Sequence, residues 1–476
     1  MIEMKIIGKI QPLSSSEIAF SRVGIGFEKL DRDLFDPKNA YDRVAKLGVK
    51  KVRLQSGWMR TEKEKGVYDF AWLDDIIDNI RKRGMEPWLT LCYGNPLYTP
   101  LARDVFGAVG CPPIQTEEER EGWRNYVKAT VRHYHGIVKI YEVWNEPNSR
   151  YSWKHHTALD EVMDYHQNYL EYGRFAIDTA KAIKEADPEA EVMAISTISP
   201  KEMKSLNTTL STGLADYIDY ASYHFYSVDL DRIDHVKNFT KLVHAYNPKV
   251  KIVQGESGCQ SRPDGAGAVK GFAWTEERQM THLLRLMVSD LYCNVEFASY
   301  FSSMDMVEAL HGLNNDKESF KDFGYFGVIR AEFDENGRAS GNYSEKPSYF
   351  ALQTLAALFK GEFETDAFPI ARKSLPSRLV DGNDTTDLRV TSLPFKLDDG
   401  SPALVYWNNV PVLTETYDGT ISYQFFFMEG KKPVLVDLRN GDMLEIPASQ
   451  IEDIQEGGIL LKNLPIREFP MMVLFK

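Results

Sequence analysis

For about 360 residues, short apolar runs of strand length alternate with longer segments whose apolar side chains recur every three to four residues. This alternation constrains the fold more than any other feature of the chain. Strand–helix–strand units call for a parallel sheet with helices packed on its faces. The strand candidates are Arg22–Phe27, Lys51–Gln55, Pro87–Cys92, Val138–Trp144, Glu191–Ile195, Tyr220–His224, Lys251–Gln254 and Val295–Phe301. The spacing between them predicts helices over Asp36–Leu47, Asp69–Arg83, Glu117–His135, Leu159–Ala186, Met203–Leu214, Ile233–Tyr246 and Thr275–Leu291, with a last one over Pro347–Phe359. In Asp69–Arg83, Leu73, Ile76, Ile77 and Ile80 share one face and Gly84 ends the segment. Eight such units are what a (β/α)8 TIM barrel requires. An open doubly wound sheet is the alternative. The GIGFEK stretch after the first strand has only part of the glycine-rich turn such a sheet carries, and Glu28 would meet the phosphate.

After about Gly361 the helical spacing stops. Strand-like runs follow at Leu388–Leu393, Ala403–Trp407, Ile421–Phe427, Val434–Leu438, Gly458–Leu461 and Met471–Phe475. Turn residues separate them, among them Asp398–Asp399–Gly400 and Arg439–Asn440–Gly441–Asp442. We read residues 361–476 as a C-terminal β-sandwich domain and residues 16–360 as the barrel. Residues 1–15, with Met4, Ile6 and Ile10 alternating, are expected to add a strand to the sandwich.

The charge balance, 56 basic against 69 acidic side chains, argues against a nucleic-acid partner, which would call for a basic patch. No apolar stretch reaches the 18 or so residues of a membrane helix. The start, MIEMKIIGKIQPL, lacks the apolar run of a secretory signal, so the expected location is cytoplasmic, or periplasmic or secreted if a signal has been removed. The four cysteines, Cys92, Cys111, Cys259 and Cys293, have no zinc spacing, and pairing of Cys92 with Cys111 stays open. His155–His156 has no third ligand at metal spacing, so neither metal nor cofactor is expected.

In a barrel of this kind catalytic groups sit at the C-terminal ends of the strands. The fourth strand ends in Trp144–Asn145–Glu146–Pro147–Asn148 and the seventh in Gln254–Gly255–Glu256–Ser257–Gly258. The two carboxylates are 110 residues apart in sequence, yet strands four and seven face each other across the mouth. Facing carboxylates suit glycoside hydrolysis, one as acid and one as nucleophile. Glu142 points inward with Glu146 and is read as a paired, structural carboxylate.

The EVWNEPN segment closing strand four, with a Glu closing strand seven, resembles the clan A glycoside hydrolases. The barrel-then-sandwich layout and the GVKKVRLQSGW segment are most similar to family 39, which includes β-xylosidases and α-L-iduronidases. The resemblance implies a retaining enzyme acting on β-D- or equivalent α-L-glycosidic bonds of an oligosaccharide. It makes Glu146 the acid/base, a task that needs an apolar wall and a neighbouring negative charge to keep the carboxyl protonated. It makes Glu256 the nucleophile, held charged by Arg53. Asn145 would bind the sugar 2-OH, Tyr226 would sit beside the nucleophile, and His224 would line the same pocket. Glu28 is either a partner of Arg53 or part of the sugar pocket. Around the nucleophile, Glu256–Ser257–Gly258–Cys259 departs from the more polar continuation of the family pattern, which leaves the sugar open.

Four strand-end aromatics, Trp58, Tyr93, Trp153 and Trp274, are candidate platforms for a sugar ring. The long stretches Asn95–Gln115 and Ser302–Ser344 are expected to wall the mouth into a pocket, which suits exo action. A transglycosylase, a non-hydrolytic carbohydrate-binding protein and a metal-dependent barrel enzyme are the other readings of the same layout.

Overall fold

Eight parallel strands close into a barrel in a computed structural model that describes residues 4–103, 105–149, 152–153, 165–228, 231–309, 322–335, 337–380, 383–413 and 415–476. They are β1 Val23–Gly26, β2 Lys51–Gln55, β3 Glu86–Leu91, β4 Ile140–Val143, β5 Glu191–Thr197, β6 Tyr220–His224, β7 Lys251–Ser257 and β8 Ala298–Tyr300, with β8 pairing back onto β1. The outer helices are α1 Tyr41–Lys46, α2 Ala71–Lys82, α3 Glu117–His133, α4 Tyr165–Ala186, α5 Met203–Leu210, α6 Arg232–Tyr246, α7 Glu276–Tyr292 and α8 Pro347–Leu358. The (β/α)8 expectation holds.

Local chemistry sets the element ends. Thr116 and Glu119 form a reciprocal capping box that starts α3, and the Thr275 hydroxyl caps α7. The helix expected to run to Leu214 stops at Leu210, because Gly213 turns left-handed at φ 87°. β4 is shorter than its apolar run, since Trp144 already adopts φ 65°. β7 is longer than expected and carries the chain through Glu256. The part of the fourth expected helix before Tyr165, His155–His156 and residues 310–321 of the Ser302–Ser344 stretch lie outside the described residues.

The N-terminal end of the barrel is plugged by a layer of Trp88, Ile140, Met193, Tyr220, Val253 and Phe297, all buried. Three ion pairs ring that end: Lys51–Glu86, Lys139–Glu191 and Lys251–Glu296. The C-terminal end is built differently, from buried polar side chains. A buried Lys346–Asp305 pair at 2.7 Å ties the start of α8 to the segment after β8. All four cysteines are free thiols.

The C-terminal region is two antiparallel sheets. One orders Ile6–Lys9, Asp442–Glu445, Pro433–Asp437, Met471–Phe475, Pro402–Asn408, Val390–Lys396 and Glu364–Thr365. The other orders Asn383–Thr386, Ser377–Val380, Asp418–Phe425, Gly458–Arg467 and Ile451–Ile454, with Ile370–Arg372 also paired to Asp418–Phe425. Rings from both sheets meet between them: Tyr406 with Tyr423 at 5.4 Å and Phe425 with Phe475 at 4.9 Å. The chain's N-terminal strand therefore lies at the edge of a C-terminal sheet.

Arg285 of α7 joins the two halves. Its guanidinium donates to the carbonyls of Glu468, Val410 and Asn408 at 2.6, 2.8 and 3.0 Å. Burial pushes this side chain down to about 10, against the weaker pull of Glu468. Arg285→Ala leaves three carbonyls without their donor. We expect a loss of about 1–3 kcal/mol, read as a lowered midpoint in urea. An unchanged midpoint would show that water replaces the guanidinium at no cost.

Candidate active site

β4, β6 and β7 bring Glu146, His224 and Glu256 together at the C-terminal mouth. One ligand atom from each lies within 4.8 Å of the other two, so the two carboxylates approach within that distance. Glu146 sits at φ 46°, a conformation that costs a non-glycine residue about 1–3 kcal/mol and persists where the surroundings enforce it. The rest of its motif supplies the enforcement. The Trp144 indole donates to the Ser152 carbonyl at 2.7 Å. The Asn148 amide donates to Thr197 Oγ1 at 2.8 Å and accepts from the Ile198 amide at 3.0 Å. Sequence reasoning gave Asn148 no role; its place inside the WNEPN segment was the available signal.

On the other wall, a bulge between Gln254 and Glu256 re-aims the nucleophile candidate. Gly255 is required there, because a Cβ would lie 2.3 Å from Ser222 Oγ. The two oxygens of Glu256 have separate donors: Arg53 Nη1 on Oε2 and the Tyr226 hydroxyl on Oε1. Burial pushes the Glu256 carboxyl up, but His224, Arg53 and the Tyr226 hydrogen bond outweigh it and hold the group below the usual carboxylate range. It is therefore ionised at neutral pH.

Arg53 organises the floor. Its Nε and Nη2 donate to Glu142 Oε2 at 3.1 and 2.6 Å, its Nη2 also to Asn145 Oδ1 at 2.8 Å, and its Nη1 to Glu256 and, at 3.4 Å, to Glu28 Oε1. All five N–H groups of the guanidinium are thereby engaged. Glu142, the expected structural carboxylate, is completed by Thr90 Oγ1 at 2.5 Å and Ser196 Oγ at 2.6 Å. Thr90 and Ser196 escaped sequence reasoning; nothing marks such hydroxyls apart from their inward-facing strand positions.

Accessibility sorts the expected site residues. The side chains of Glu146 and Glu256 keep 23% and 13% of their surface, and Tyr226 is half-buried. Asn145 keeps 9%. Arg53 and His224 are 0% exposed and Glu28 1%, so these three lie beneath the pocket rather than on its wall. The reading of His224 and Glu28 as part of the sugar pocket is corrected accordingly, and Arg53 reaches the site through Glu256 and not through the substrate. His224 Nδ1 is 2.9 Å from Glu146 Oε1 and 3.8 Å from Glu256 Oε2. Burial disfavours the charged imidazole, but Glu256 and the hydrogen bond to Glu146 outweigh that and raise its proton affinity.

The expected sugar platforms are also corrected. Trp58 is fully buried, stacked between Tyr98 at 5.2 Å and Tyr126 at 5.5 Å. Trp153 packs on Trp144 and Tyr172. Trp274 is buried, with its indole N–H on the Val269 carbonyl at 2.8 Å and its ring against His282. Tyr93 is buried, its hydroxyl accepting from the Gln55 amide at 3.0 Å. Each ring fills apolar space behind the mouth. A strand-end position alone does not say which way a side chain turns.

Glu146, His224 and Glu256 also form the donor set of a divalent-cation site. The fit is poor. Both Glu256 oxygens already hold donors, Arg53 brings its own positive charge, and the raised proton affinity of His224 works against ligation. The cluster reads as a hydrogen-bonded acid–base set.

Residues 32–253 match the family model described as "Glycosyl hydrolases family 39". Over that stretch the barrel is similar to the family 39 glycosyl hydrolases. Curated relatives are similar over shorter stretches. A β-xylosidase of Geobacillus stearothermophilus is 28% identical over 135 residues, 27% of this chain and 24% of that protein. A β-galactosidase of Clostridium cellulovorans is 38% identical over 82 residues, 17% of this chain and 12% of that protein. The aligned part thus spans about a quarter or less of these relatives' own length. Among solved structures, a family 39 glycoside hydrolase from Bacteroides cellulosilyticus superposes with a TM-score of 0.62 at 16% identity, covering 99% of this chain and 82% of that one. A monomeric β-xylosidase from Caulobacter crescentus gives 0.56 at 17% identity, covering 99% and 98%. At these identities the likeness establishes a shared fold: a (β/α)8 barrel followed by a C-terminal β-rich domain.

Proposed function

We propose that the chain is a retaining glycoside hydrolase of β-D- or equivalent α-L-linked sugars, exo-acting and β-xylosidase-like. The observation that carries this reading is the approach of the Glu146 and Glu256 carboxylates to within 4.8 Å. Retaining enzymes hold their carboxyl groups about 5 Å apart, and inverting ones about 6.5–9.5 Å, to admit a water. Ionised Glu256 attacks the anomeric carbon while Glu146 gives its proton to the leaving oxygen. A glycosyl-enzyme forms, and Glu146 then takes a proton from the water that releases the sugar.

Asn145 supports the 2-OH role. Arg53 can only donate, so the Asn145 oxygen faces it and the amide NH2 is left for a hydroxyl. The polar floor of Arg53, Glu142 and Glu28 makes no direct claim on the sugar. It fixes Glu256 and Asn145 before substrate arrives, as electrostatic preorganisation requires. The xylosidase-like substrate rests on the curated relative, and exo action on the length of the Asn95–Gln115 and Ser302–Ser344 stretches.

The test is a panel of aryl xylosides, glucosides, galactosides and arabinosides, with the anomer of the first product followed by NMR. We expect release of the phenol from at least one of them and a first product of the same anomeric configuration. A first product of opposite configuration would remove the double-displacement mechanism.

A further inference from the structure

Two carboxyls of the site, Glu142 and Glu28, neither reach the pocket nor belong to the two-acid mechanism; Glu142 has close donors on both oxygens, and Glu28 does not. It follows β1, is 1% exposed, and contacts Arg53 Nη1 through Oε1 at 3.4 Å. That same Nη1 is the donor to Glu256. The other oxygen, Oε2, is buried without a hydrogen-bond partner among the described residues. The chain makes room for it deliberately, in that a Cβ on Gly26 would come within 2.1 Å of Oε2. Any other residue at 26 would drive the carboxyl away from Arg53.

We propose that Glu28 is a positioning residue of the reaction, a third acid that contests Arg53 Nη1 with Glu256 and so governs how the nucleophile is held and charged. The inference rests on the glycosidase reading above.

The balance of charge fits. Arg53 is one cation serving Glu142, Glu256 and Glu28 in a buried floor. The other charged groups around are His224 of β6, beside Glu256, and Lys29, which is paired with Glu308. Tyr226 adds a hydroxyl on Glu256. Burial pushes the Glu28 carboxyl up to about 8; Arg53 pulls it down and Glu256 pushes it further up. A neutral Glu28 makes only the long 3.4 Å contact with Arg53 Nη1, and the closer donation from Nη1 goes to Glu256. Ionisation puts a charge on an oxygen with no partner, which a buried site does not accommodate without rearrangement. Drawing Arg53 Nη1 off Glu256 is the direct way to relieve it. The sign for stability is the same. A carboxyl raised in the folded state contributes fully below its unfolded value of 4.5, and the contribution is lost as pH rises through about 8.

The experiment isolates the nucleophile. A dinitrophenyl glycoside with fluorine on the ring carbon beside the anomeric carbon needs no proton for its leaving group. Its trapping rate therefore follows Glu256 and not Glu146. We take the xyloside, glucoside and galactoside forms as probes and measure the second-order trapping rate against pH. For the wild type we expect a fall above about pH 8. In Glu28→Gln, which keeps the shape but cannot ionise, the fall moves up by at least one pH unit. Glu28→Ala slows trapping at least tenfold at pH 7, and Glu28→Gln recovers most of that loss. Urea midpoints of wild type and Glu28→Gln, followed from pH 5 to 9, should separate between pH 5 and about 8, with the wild type falling faster, and run parallel above that. If Glu28→Gln does not fold, infrared difference spectra of the wild type and Glu28→Ala supply the second measurement, as a protonated-carboxyl band that the wild type holds at pH 7 and loses near pH 8 and that Glu28→Ala lacks. Identical alkaline limbs in wild type and Glu28→Gln, or absence of that band, overturns the proposal. No trapping with any of the three probes would instead remove the glycosidase reading on which it rests.

Discussion

Glu256→Gly lowers kcat by roughly 10⁴-fold or more, equivalent to about 5 kcal/mol of transition-state stabilisation. The reason is geometric. Two donors, Arg53 and the Tyr226 hydroxyl, are spent on keeping this carboxylate ionised and aimed, and no second carboxylate among the described residues takes its position opposite Glu146. The pocket left by the missing side chain admits a small anion. Azide or formate should restore turnover on an activated aryl glycoside and give a product of inverted configuration, because the anion attacks from the face Glu256 used. The measurement is kcat with and without azide, with the product anomer read by NMR. Activity within tenfold of wild type would assign the nucleophile elsewhere. The opposite substitution, Glu146→Ala, should spare substrates with a good leaving group and slow those with a poor one, since only the latter need the proton.

Arg53→Lys is expected to cost about 3–5 kcal/mol of stability and at least a hundredfold in kcat, with KM little changed. A lysine offers three N–H donors in place of five and cannot span Glu142, Asn145, Glu256 and Glu28 together. Because Arg53 has no exposed surface, the loss should fall on turnover and not on binding. A variant with raised KM and intact kcat would mean that Arg53 touches the sugar after all. The acid side of the profile follows from the same contacts. Glu256 is held below its ordinary range, so its contribution to stability is present above its unfolded value of 4.5 and is lost as pH falls through the folded value.

Much of this architecture can be read from side-chain periodicity. Leu73, Ile76, Ile77 and Ile80 lie on the buried face of α2, and the runs at Lys51–Gln55 and Tyr220–His224 are strands at those same residues. Such segments bury one face against the sheet, and the apolar spacing records it. The short polar strands Asn383–Thr386 and Ser377–Val380 leave no comparable trace, because Asn383–Thr386 is exposed along its length. The strand Ile451–Ile454 was likewise not foreseen; it sits at a sheet edge with Glu452 and Asp453 exposed.

At the mouth, the two carboxylates were legible because each closes a strand, and strand order places β4 opposite β7. The direction a loop side chain takes was not legible. Trp58 and Trp153 turn back into the helix layer and complete a ring cluster with Trp123, Tyr126 and Phe175. Arg53 belongs to the site through Glu256, the contact its strand-end position suggests, and His224 through Glu146, a relation of packing that strand position alone does not encode. Gly26 and Gly255 were the overlooked signal. Each stands where a polar side chain needs the volume of a missing Cβ, Glu28 in one case and Ser222 in the other.

The most direct measurement of the central claim is the mass of the peptide that carries the trapped sugar. After reaction with the fluorinated dinitrophenyl glycoside, proteolysis and tandem mass spectrometry should find one fluoro-glycosyl group, attached to Glu256. An adduct on Glu146 or on any other carboxylate, or rapid turnover of the probe with no adduct at all, would contradict the account.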